Sequence, residues 1–144
     1  CWTCRSTRRS SEPRVSGAAP DPGLGPLAGL LGMRRGVMAG GRCVFELDAG
    51  PTPMNPHGIV HGGVLYTLVD YAMGCALTSR LGAGEQCSTI EIKINYVAPA
   101  TGGRIVADAR VVERTRRISV LEARVNADDG TLLALALGTF YIQG

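Results

Sequence analysis

The sequence has few aromatic side chains and no long uninterrupted apolar run. Aromatic residues make up 5% of the 144 residues, so stacking on nucleic-acid bases is not an evident function. The longest apolar stretch, residues 64–77, contains Asp70 and is shorter than the roughly 20 residues that a membrane-spanning helix requires. No apolar segment typical of a signal peptide follows the basic start. We therefore expect a soluble domain that does not bind to membranes.

A broad basic surface is also missing. The net charge of +3 comes from residues 1–20, which hold four arginines and one glutamate, whereas residues 21–144 hold 11 basic and 11 acidic groups. The globular part thus offers no electrostatic footprint for nucleic acid. Because residues 1–27 are rich in Pro, Gly, Ser and Arg, they are predicted to be a disordered or loosely held tail. Residues 28–144 are long enough for one domain with its own core.

The five cysteines have neither an even count nor a regular spacing, which argues against a disulfide framework. We predict a reducing, cytoplasmic compartment, with Cys75 and Cys87 as small core residues. Cys1 and Cys4 have the spacing of a redox or zinc site, but no second pair of ligands accompanies them. They are interpreted as an incidental pair.

The hydrophobic pattern predicts one long helix among several strands. Residues 62–82 are apolar nearly all round, so the helix is expected to be buried. In the next segment Ile90, Ile92, Ile94 and Tyr96 alternate with polar residues, as in a half-buried strand. The predicted strands are residues 36–47, 88–97, 104–113, 118–126 and 131–142. One strand, the helix and then a four-stranded meander predict an α+β fold in which a curved antiparallel sheet wraps the helix.

A glycine pair, Gly62 and Gly63, stands where a proline-rich loop enters this helix. The first N–H groups of a helix lack partners and carry partial positive charge, and glycine allows a ligand to approach them closely. The pair can therefore hold a carbonyl oxygen or an oxyanion. It can equally serve only to permit a tight turn, and the sequence does not decide between the two.

The lone carboxylate of this helix, Asp70, is the only charge between Gly62 and Arg80. Such a group is costly on the buried side of a helix unless it is paired, which favours a functional role over a structural one. Eight helical residues rise about 12 Å, so Asp70 cannot share a reactive centre with the Gly62 amide of its own helix. If both act on one substrate, a second copy of the chain must supply the carboxylate.

The two histidines, His57 and His61, are four residues apart, as in some zinc sites. The segment between them lacks the Glu of H-E-x-x-H and contains Gly58, so metal binding is not favoured and no cofactor is predicted. His61 is expected to order the loop by hydrogen bonds, with a general-base role less favoured.

With these residues in place, the sequence resembles the hotdog-fold thioesterases, in particular the phenylacetate-pathway (PaaI-like) branch of the 4-hydroxybenzoyl-CoA thioesterase superfamily. The resemblance covers roughly residues 36–142. It rests on N-x-x-G-x-x-H-G-G from Asn55 to Gly63, on Asp70, and on "INYVAPA" at the end of the following strand.

The resemblance implies hydrolysis of acyl-CoA thioesters. By this resemblance Asn55 and the Gly62 amide polarise the thioester carbonyl, while Asp70 of a partner subunit activates water or attacks directly. A hydroxyl early in the next strand places the water, and counting back from "NYVAP" assigns this role to Thr89, with Ser88 as the substitute if a bulge intervenes. His61 and Gly63 are expected to shape the site.

The predicted partners are an acyl-CoA substrate and further copies of the chain. Arg114, Arg116 and Arg117 lie at a turn where their guanidinium groups suit the phosphates of CoA, although a solvated hairpin tip explains them equally well. A homodimer with shared sites is expected, and a homotetramer is predicted because a dimer leaves one face of each sheet open.

Two other functions remain open at this stage. A hotdog hydratase or dehydratase acting on an enoyl thioester would pair a carboxylate with a histidine such as His61. A binding module for acyl-CoA without turnover would not require Asp70. The acyl group, aromatic or aliphatic, is left open by the sequence.

Overall fold

The computed structural model describes residues 22–144. After a 3-10 turn at Pro22–Leu24, these residues form two helices and six strands. In chain order they are α1 (Pro26–Leu30), β1 (Arg34–Ala39), β2 (Arg42–Ala49), α2 (Gly62–Thr78), β3 (Gln86–Tyr96), β4 (Gly103–Arg114), β5 (Ile118–Ala127) and β6 (Leu132–Gln143).

All strand pairs are antiparallel and form one sheet in the order β1-β2-β4-β5-β6-β3. The predicted α+β class and the curved sheet around one long helix are confirmed. The predicted four-stranded meander is wrong for its first member, because β3 pairs with β6 rather than with β4. Helix α2 carries the chain across the concave face of the sheet, and β3 therefore joins at the edge opposite β1.

The predicted single strand over residues 36–47 is a hairpin of β1 and β2. Gly40 and Gly41 form its turn with φ angles of 60° and 91°. Two consecutive positive φ values are what a tight two-residue hairpin requires, and glycine reaches them without strain. Two strands therefore stand where one was expected.

Glu46 on β2 is a buried carboxylate, 2% exposed, held between two arginines from neighbouring strands. Its two oxygens lie 3.2 Å from an Nη2 of Arg34 and 2.5 Å from an Nη2 of Arg104. Since a buried charge is costly without partners, this triad is a requirement for the local sheet structure rather than a surplus of stability.

Helix α2 packs one face into the sheet, and the buried side chains on that face are Leu65, Leu68, Val69, Ala72, Met73, Ala76 and Leu77. The helix ends four residues before the predicted limit, where the Ser79 hydroxyl donates to the Ala76 carbonyl.

The opposite side of α2 is not covered, so the expectation of burial all round is wrong. We call this side the open stripe; its members lie three or four residues apart and are Gly63, Thr67, Asp70, Gly74 and Thr78. Its members are small or polar, so this face can remain accessible although most other residues of the segment 62–82 are apolar.

Strand β3 forms a sheet edge beside the open stripe. A bulge between Thr89 and Glu91 displaces Ile90, which is 54% exposed, contrary to the inward orientation predicted for it. Further along, Ile92 is buried and Ile94 half-buried, whereas Tyr96 is 52% exposed. The alternation thus correctly indicates the inner face only in the middle of the strand.

The segment that leads into β1 packs against the core. Leu24, Ala28 and Met33 are buried, and the hydroxyl of Tyr71 donates to the Leu24 carbonyl at 3.0 Å. Residues 22–27, which belong to the predicted tail, therefore include a core contact. Residues 1–21, with Cys1 and Cys4, lie outside the described part of the chain, and the domain limit at residue 28 stays a prediction.

Candidate active site

The N-terminus of α2 is held by His61, which caps it. The N–H of Gly63 donates to Nδ1 of His61 at 2.9 Å, and the N–H of Val64 donates to the His61 carbonyl at 2.9 Å. Within residues 22–144 the N–H of Gly62 has no hydrogen-bond partner. The local structure thus leaves one helix-terminal donor available to a ligand, and His61 orders the loop as expected.

Asn55 organises the loop before the helix. Its Oδ1 accepts from the N–H of His57 at 2.8 Å and from the N–H of Ile59 at 3.4 Å. Its backbone N–H donates to the Ile59 carbonyl at 2.8 Å. These bonds hold the side-chain oxygen toward the loop, and the NH₂ group, which is the only donor of this side chain, can donate to a substrate oxygen.

Asn55 and Gly62 line the same surface pocket, which has a volume of about 420 Å³. Its remaining wall is largely apolar and comes from the loop, α2 and the end of β3: Ile59, Val60, Leu65, Tyr96, Val97, Ala98, Pro99 and Ala100. A pocket with a few convergent donors in apolar surroundings is the usual form of a small-molecule site.

Asp70 lies half-exposed on the open stripe and not on the buried side of α2. The hydroxyl of Thr89 donates to its Oδ1 at 2.8 Å. Thr89 pairs with Phe140, which is buried, so its side chain points to the helix side of the sheet. Ser88 pairs with Tyr141 and points to the other side. The geometry therefore joins Thr89, and not Ser88, to the carboxylate.

One chain does not bring Asp70 to the Gly62 amide. Both belong to the regular helix Gly62–Thr78, so eight residues separate them by about 12 Å along the axis. Both residues are partly exposed, and both lie beside β3, where Gly62 contacts Tyr96 and Asp70 contacts Thr89. We call the helix start with Gly62 and Asn55 the oxyanion half and Asp70 with Thr89, two turns later, the carboxylate half, after the roles that are proposed for them below.

Cys87 lies next to the carboxylate half. Its Sγ is 3.8 Å from Oγ1 of Thr78 and 4.0 Å from the Gly74 carbonyl oxygen, both on the open stripe. Burial raises the pKa of the Cys87 thiol above its ordinary value, partly offset by the contact with Thr78. The thiol is therefore protonated at neutral pH and a poor nucleophile.

The arginines considered for CoA phosphates differ in their contacts. Arg114 forms a salt bridge with Glu85 at 2.5 Å, and Arg117 donates to the hydroxyl of Tyr141 and lies over its ring. Arg116 is exposed. Arg117 is exposed as well, whereas a phosphate contact for Arg114 requires exchange of its carboxylate partner.

In the described residues no group of three or more potential metal ligands lies together. His57 is exposed in the loop, and Nδ1 of His61 is occupied by the Gly63 amide. Nδ1 of His61 is therefore not available as a metal ligand in this conformation.

Sequence reasoning did not identify the contact between Tyr96 and Gly62. The Tyr96 hydroxyl donates to the Gly62 carbonyl at 2.8 Å. Burial raises the pKa of Tyr96 above its ordinary value, and nearby Tyr66 adds to this effect. Tyr96 belongs to the "INYVAPA" motif at the end of β3, but the sequence did not indicate its contact with a residue 34 positions earlier in the chain.

Comparison with known families agrees with this architecture. The model of the family described as "Thioesterase superfamily" matches residues 57–134. The chain belongs to the thioesterase superfamily, which confirms the resemblance at the level of the superfamily and supports the predicted class of thioester hydrolase.

Individual relatives share part of their length with this chain. The protein SSO1253 of Saccharolobus solfataricus is 34% identical over 85 residues, which are 59% of this chain and 56% of that protein. The chain thus covers little more than half of that relative. A 1,4-dihydroxy-2-naphthoyl-CoA hydrolase of Listeria monocytogenes is 23% identical over 103 residues, 72% of this chain and 84% of that protein.

Solved structures show the same fold over most of the chain. The conserved protein PA5202 of Pseudomonas aeruginosa is 34% identical with a TM-score of 0.77, covering 81% of this chain and 93% of that one. BH2602 of Bacillus halodurans, solved with CoA, is 34% identical with a TM-score of 0.74, covering 81% and 75%. Escherichia coli PaaI, at 24% identity and a TM-score of 0.77 over 82% and 84%, shares the fold.

No helix within residues 22–144 has the length and apolar character needed to cross a bilayer.

Proposed function

We propose that the protein is an acyl-CoA thioesterase whose active sites are each built from two copies of the chain. The observation that carries the proposal is the arrangement on α2. Its Gly62 amide has no partner among residues 22–144, and about 12 Å along the helix, beside the same strand β3, lies a carboxylate held by Thr89. Neither half is sufficient for hydrolysis, and two helices facing each other about a two-fold axis supply both.

The oxyanion half holds the thioester carbonyl. The Gly62 N–H and the Asn55 NH₂ donate to the carbonyl oxygen, which gains negative charge as the tetrahedral intermediate forms. Each such donor contributes about a factor of 10² to 10³ in rate in hydrolases that use this device. The pocket of about 420 Å³ is lined mainly by apolar side chains, so an acyl group bound in it would displace water from around this oxygen and strengthen the interaction.

The carboxylate half acts on the carbonyl carbon. Asp70 of one copy takes a proton from a water molecule, and the water oxygen attacks the thioester carbon. The carbonyl oxygen on that carbon accepts hydrogen bonds from Gly62 and Asn55 of the other copy. The C–S bond then breaks, and CoA leaves as the thiol after it takes up a proton. Direct attack by Asp70, with hydrolysis of the resulting anhydride, uses the same groups. In both routes the Thr89 hydroxyl fixes the carboxylate.

CoA recognition and an aromatic acyl group are finer parts of the proposal. They are supported by BH2602, whose structure contains CoA, and by the Listeria relative, which is named for a dihydroxynaphthoyl-CoA. Arg116 and Arg117 are proposed to meet the CoA phosphates. We propose further that dimers pair into a homotetramer through the outer sheet face, where Val112 and Leu137 are exposed, and that the enzyme is cytoplasmic.

The test is thiol release from a panel of acyl-CoAs, aromatic and aliphatic, by the wild type, Asp70→Asn and Asp70→Ala. We expect turnover by the wild type and a loss of at least about 10³-fold in both variants, with unchanged circular dichroism. Near-normal turnover in the variants would refute the mechanism. Binding without thiol release by the wild type would instead support a binding module, and loss of absorbance from an enoyl-CoA would support a hydratase.

A further inference from the structure

We propose that Tyr96 is a positioning residue, which together with His61 fixes the peptide between Gly62 and Gly63 and thereby the direction of the Gly62 N–H. This inference rests on the proposed function, since it concerns the oxyanion half of the same site. It assigns a role to a side chain that lies outside the N-x-x-G-x-x-H-G-G segment.

Two hydrogen bonds hold this peptide at its opposite ends. The carbonyl of Gly62 accepts from the Tyr96 hydroxyl at 2.8 Å, and the N–H of Gly63 donates to Nδ1 of His61 at 2.9 Å. In a planar trans peptide these two groups point in opposite directions. A peptide anchored at both ends cannot rotate about its flanking bonds without breaking one of the anchors.

The need for such anchors follows from the two glycines. Glycine has the widest range of backbone angles, so a Gly-Gly step at a helix start is the least restrained part of the helix. The preceding peptide, which carries the Gly62 N–H, is held through the His61 carbonyl by the N–H of Val64 at 2.9 Å. Fixing the peptides on both sides of Gly62 leaves its N–H in one orientation, at the wall of the pocket that Gly62 and Tyr96 both line.

The ring of Tyr96 acts together with its hydroxyl. A Cβ built on Gly62 would lie 3.0 Å from Cζ and 3.1 Å from the hydroxyl oxygen of Tyr96. The ring therefore lies directly against the glycine backbone, and any side chain at position 62 would force Tyr96 to move by a few tenths of an ångström. Because Tyr96 is 52% exposed in the single chain, packing of the aromatic ring alone does not account for this placement.

The mechanism needs this preorganisation. An oxyanion donor contributes most when it is oriented before the reaction, because reorientation during the reaction costs part of the stabilisation. Loss of the Tyr96 hydroxyl should therefore reduce kcat more than it changes substrate binding. The Tyr66 hydroxyl, 3.5 Å from the Ile92 carbonyl oxygen, makes a weaker contact elsewhere and does not hold this peptide.

The matched variants are Tyr96→Phe and Tyr71→Phe. Each removes one tyrosine hydroxyl that donates to a backbone carbonyl, that of Gly62 at 2.8 Å or that of Leu24 at 3.0 Å. Only the first carbonyl belongs to the oxyanion half. With the acyl-CoA that the wild type hydrolyses fastest, we expect Tyr96→Phe to lower kcat about 5- to 20-fold with KM within about 2-fold, and Tyr71→Phe to leave both near wild type.

A second measurement does not depend on turnover. Solvent exchange of the Gly63 and Val64 amides, followed by NMR, should become several-fold faster in Tyr96→Phe and remain unchanged in Tyr71→Phe. If the wild type hydrolyses no acyl-CoA, the proposed function fails, and the exchange rates still decide whether Tyr96 anchors the peptide. Unchanged exchange in Tyr96→Phe, or an equal fall of kcat in both variants, would overturn the role of Tyr96.

Discussion

The hydrogen bond from Thr89 to Asp70 gives a prediction that separates two neighbouring hydroxyl groups. In Thr89→Val the side-chain shape is kept and the donor is lost. A hydrogen bond to a charged group contributes about 1.5 to 3 kcal/mol, and the half-exposed setting favours the lower end. Since about 1.4 kcal/mol corresponds to a factor of ten, kcat/KM should fall roughly 10- to 30-fold.

Two control variants sharpen this experiment. Thr89→Ser keeps a hydroxyl at the same position and should retain most of the activity. Ser88→Ala removes the hydroxyl that points to the other face of the sheet and should change kcat/KM by less than about 2-fold. The assay is initial-rate thiol release with thermal unfolding of each variant in parallel. Wild-type kcat/KM in Thr89→Val, or an equal loss in Ser88→Ala, would refute the assignment.

Two further predictions concern residues outside the proposed site. Glu46→Gln leaves Arg34 and Arg104 without their shared carboxylate, so the free energy of unfolding measured in urea should fall by about 1 to 3 kcal/mol while kcat is retained. Unchanged stability would contradict the view that this triad is required. Burial raises the pKa of the Cys87 thiol, so its alkylation by iodoacetamide at pH 8 should be at least about 10-fold slower in the native protein than in urea. The extent of alkylation is measured on the tryptic peptide, and the rate should still increase as the pH rises above the ordinary pKa of a thiol. The same rise in pKa stabilises the folded protein below the pKa of the unfolded thiol, and this contribution is lost as the pH rises through the pKa of the folded thiol. Equal alkylation rates in native and unfolded protein would contradict the raised pKa.

The fold was largely predictable because its main signals are local. Alternation of apolar and polar residues identified β4, β5 and β6, and the long apolar run identified α2. The β1–β2 hairpin was missed because the strands on both sides of Gly40 and Gly41 have the same strand-like pattern. The pairing of β3 with β6 was missed because strand order depends on the position of the end of α2 relative to the sheet. No local sequence pattern encodes this position.

The site was predictable to the extent that its residues lie close together in sequence. Asn55, His61 and Gly62 belong to one segment, and the reach argument separated Asp70 from it without a structure. The choice between Thr89 and Ser88 required the bulge and the pairing of β3. The contact of Tyr96 with Gly62 joins two distant segments and therefore required the tertiary structure.

The central claim is that each site takes Asp70 from one copy and Gly62 with Asn55 from another, and mixing two inactive variants tests it most directly. One variant is Asp70→Asn. The other is Asn55→Asp, which keeps the oxygen that accepts from His57 and Ile59 and replaces the NH₂ donor. Each variant alone should be nearly inactive.

After equal amounts of the two variants are unfolded and refolded together, half of the dimers contain one chain of each kind. Each mixed dimer holds one intact site and one site with both defects, so the mixture should recover about a quarter of the wild-type activity per chain. Recovery to about that level would support the shared site. No recovery above the two separate variants would contradict the account, provided that one variant is labelled with ¹⁵N and native mass spectrometry then demonstrates the mixed dimers.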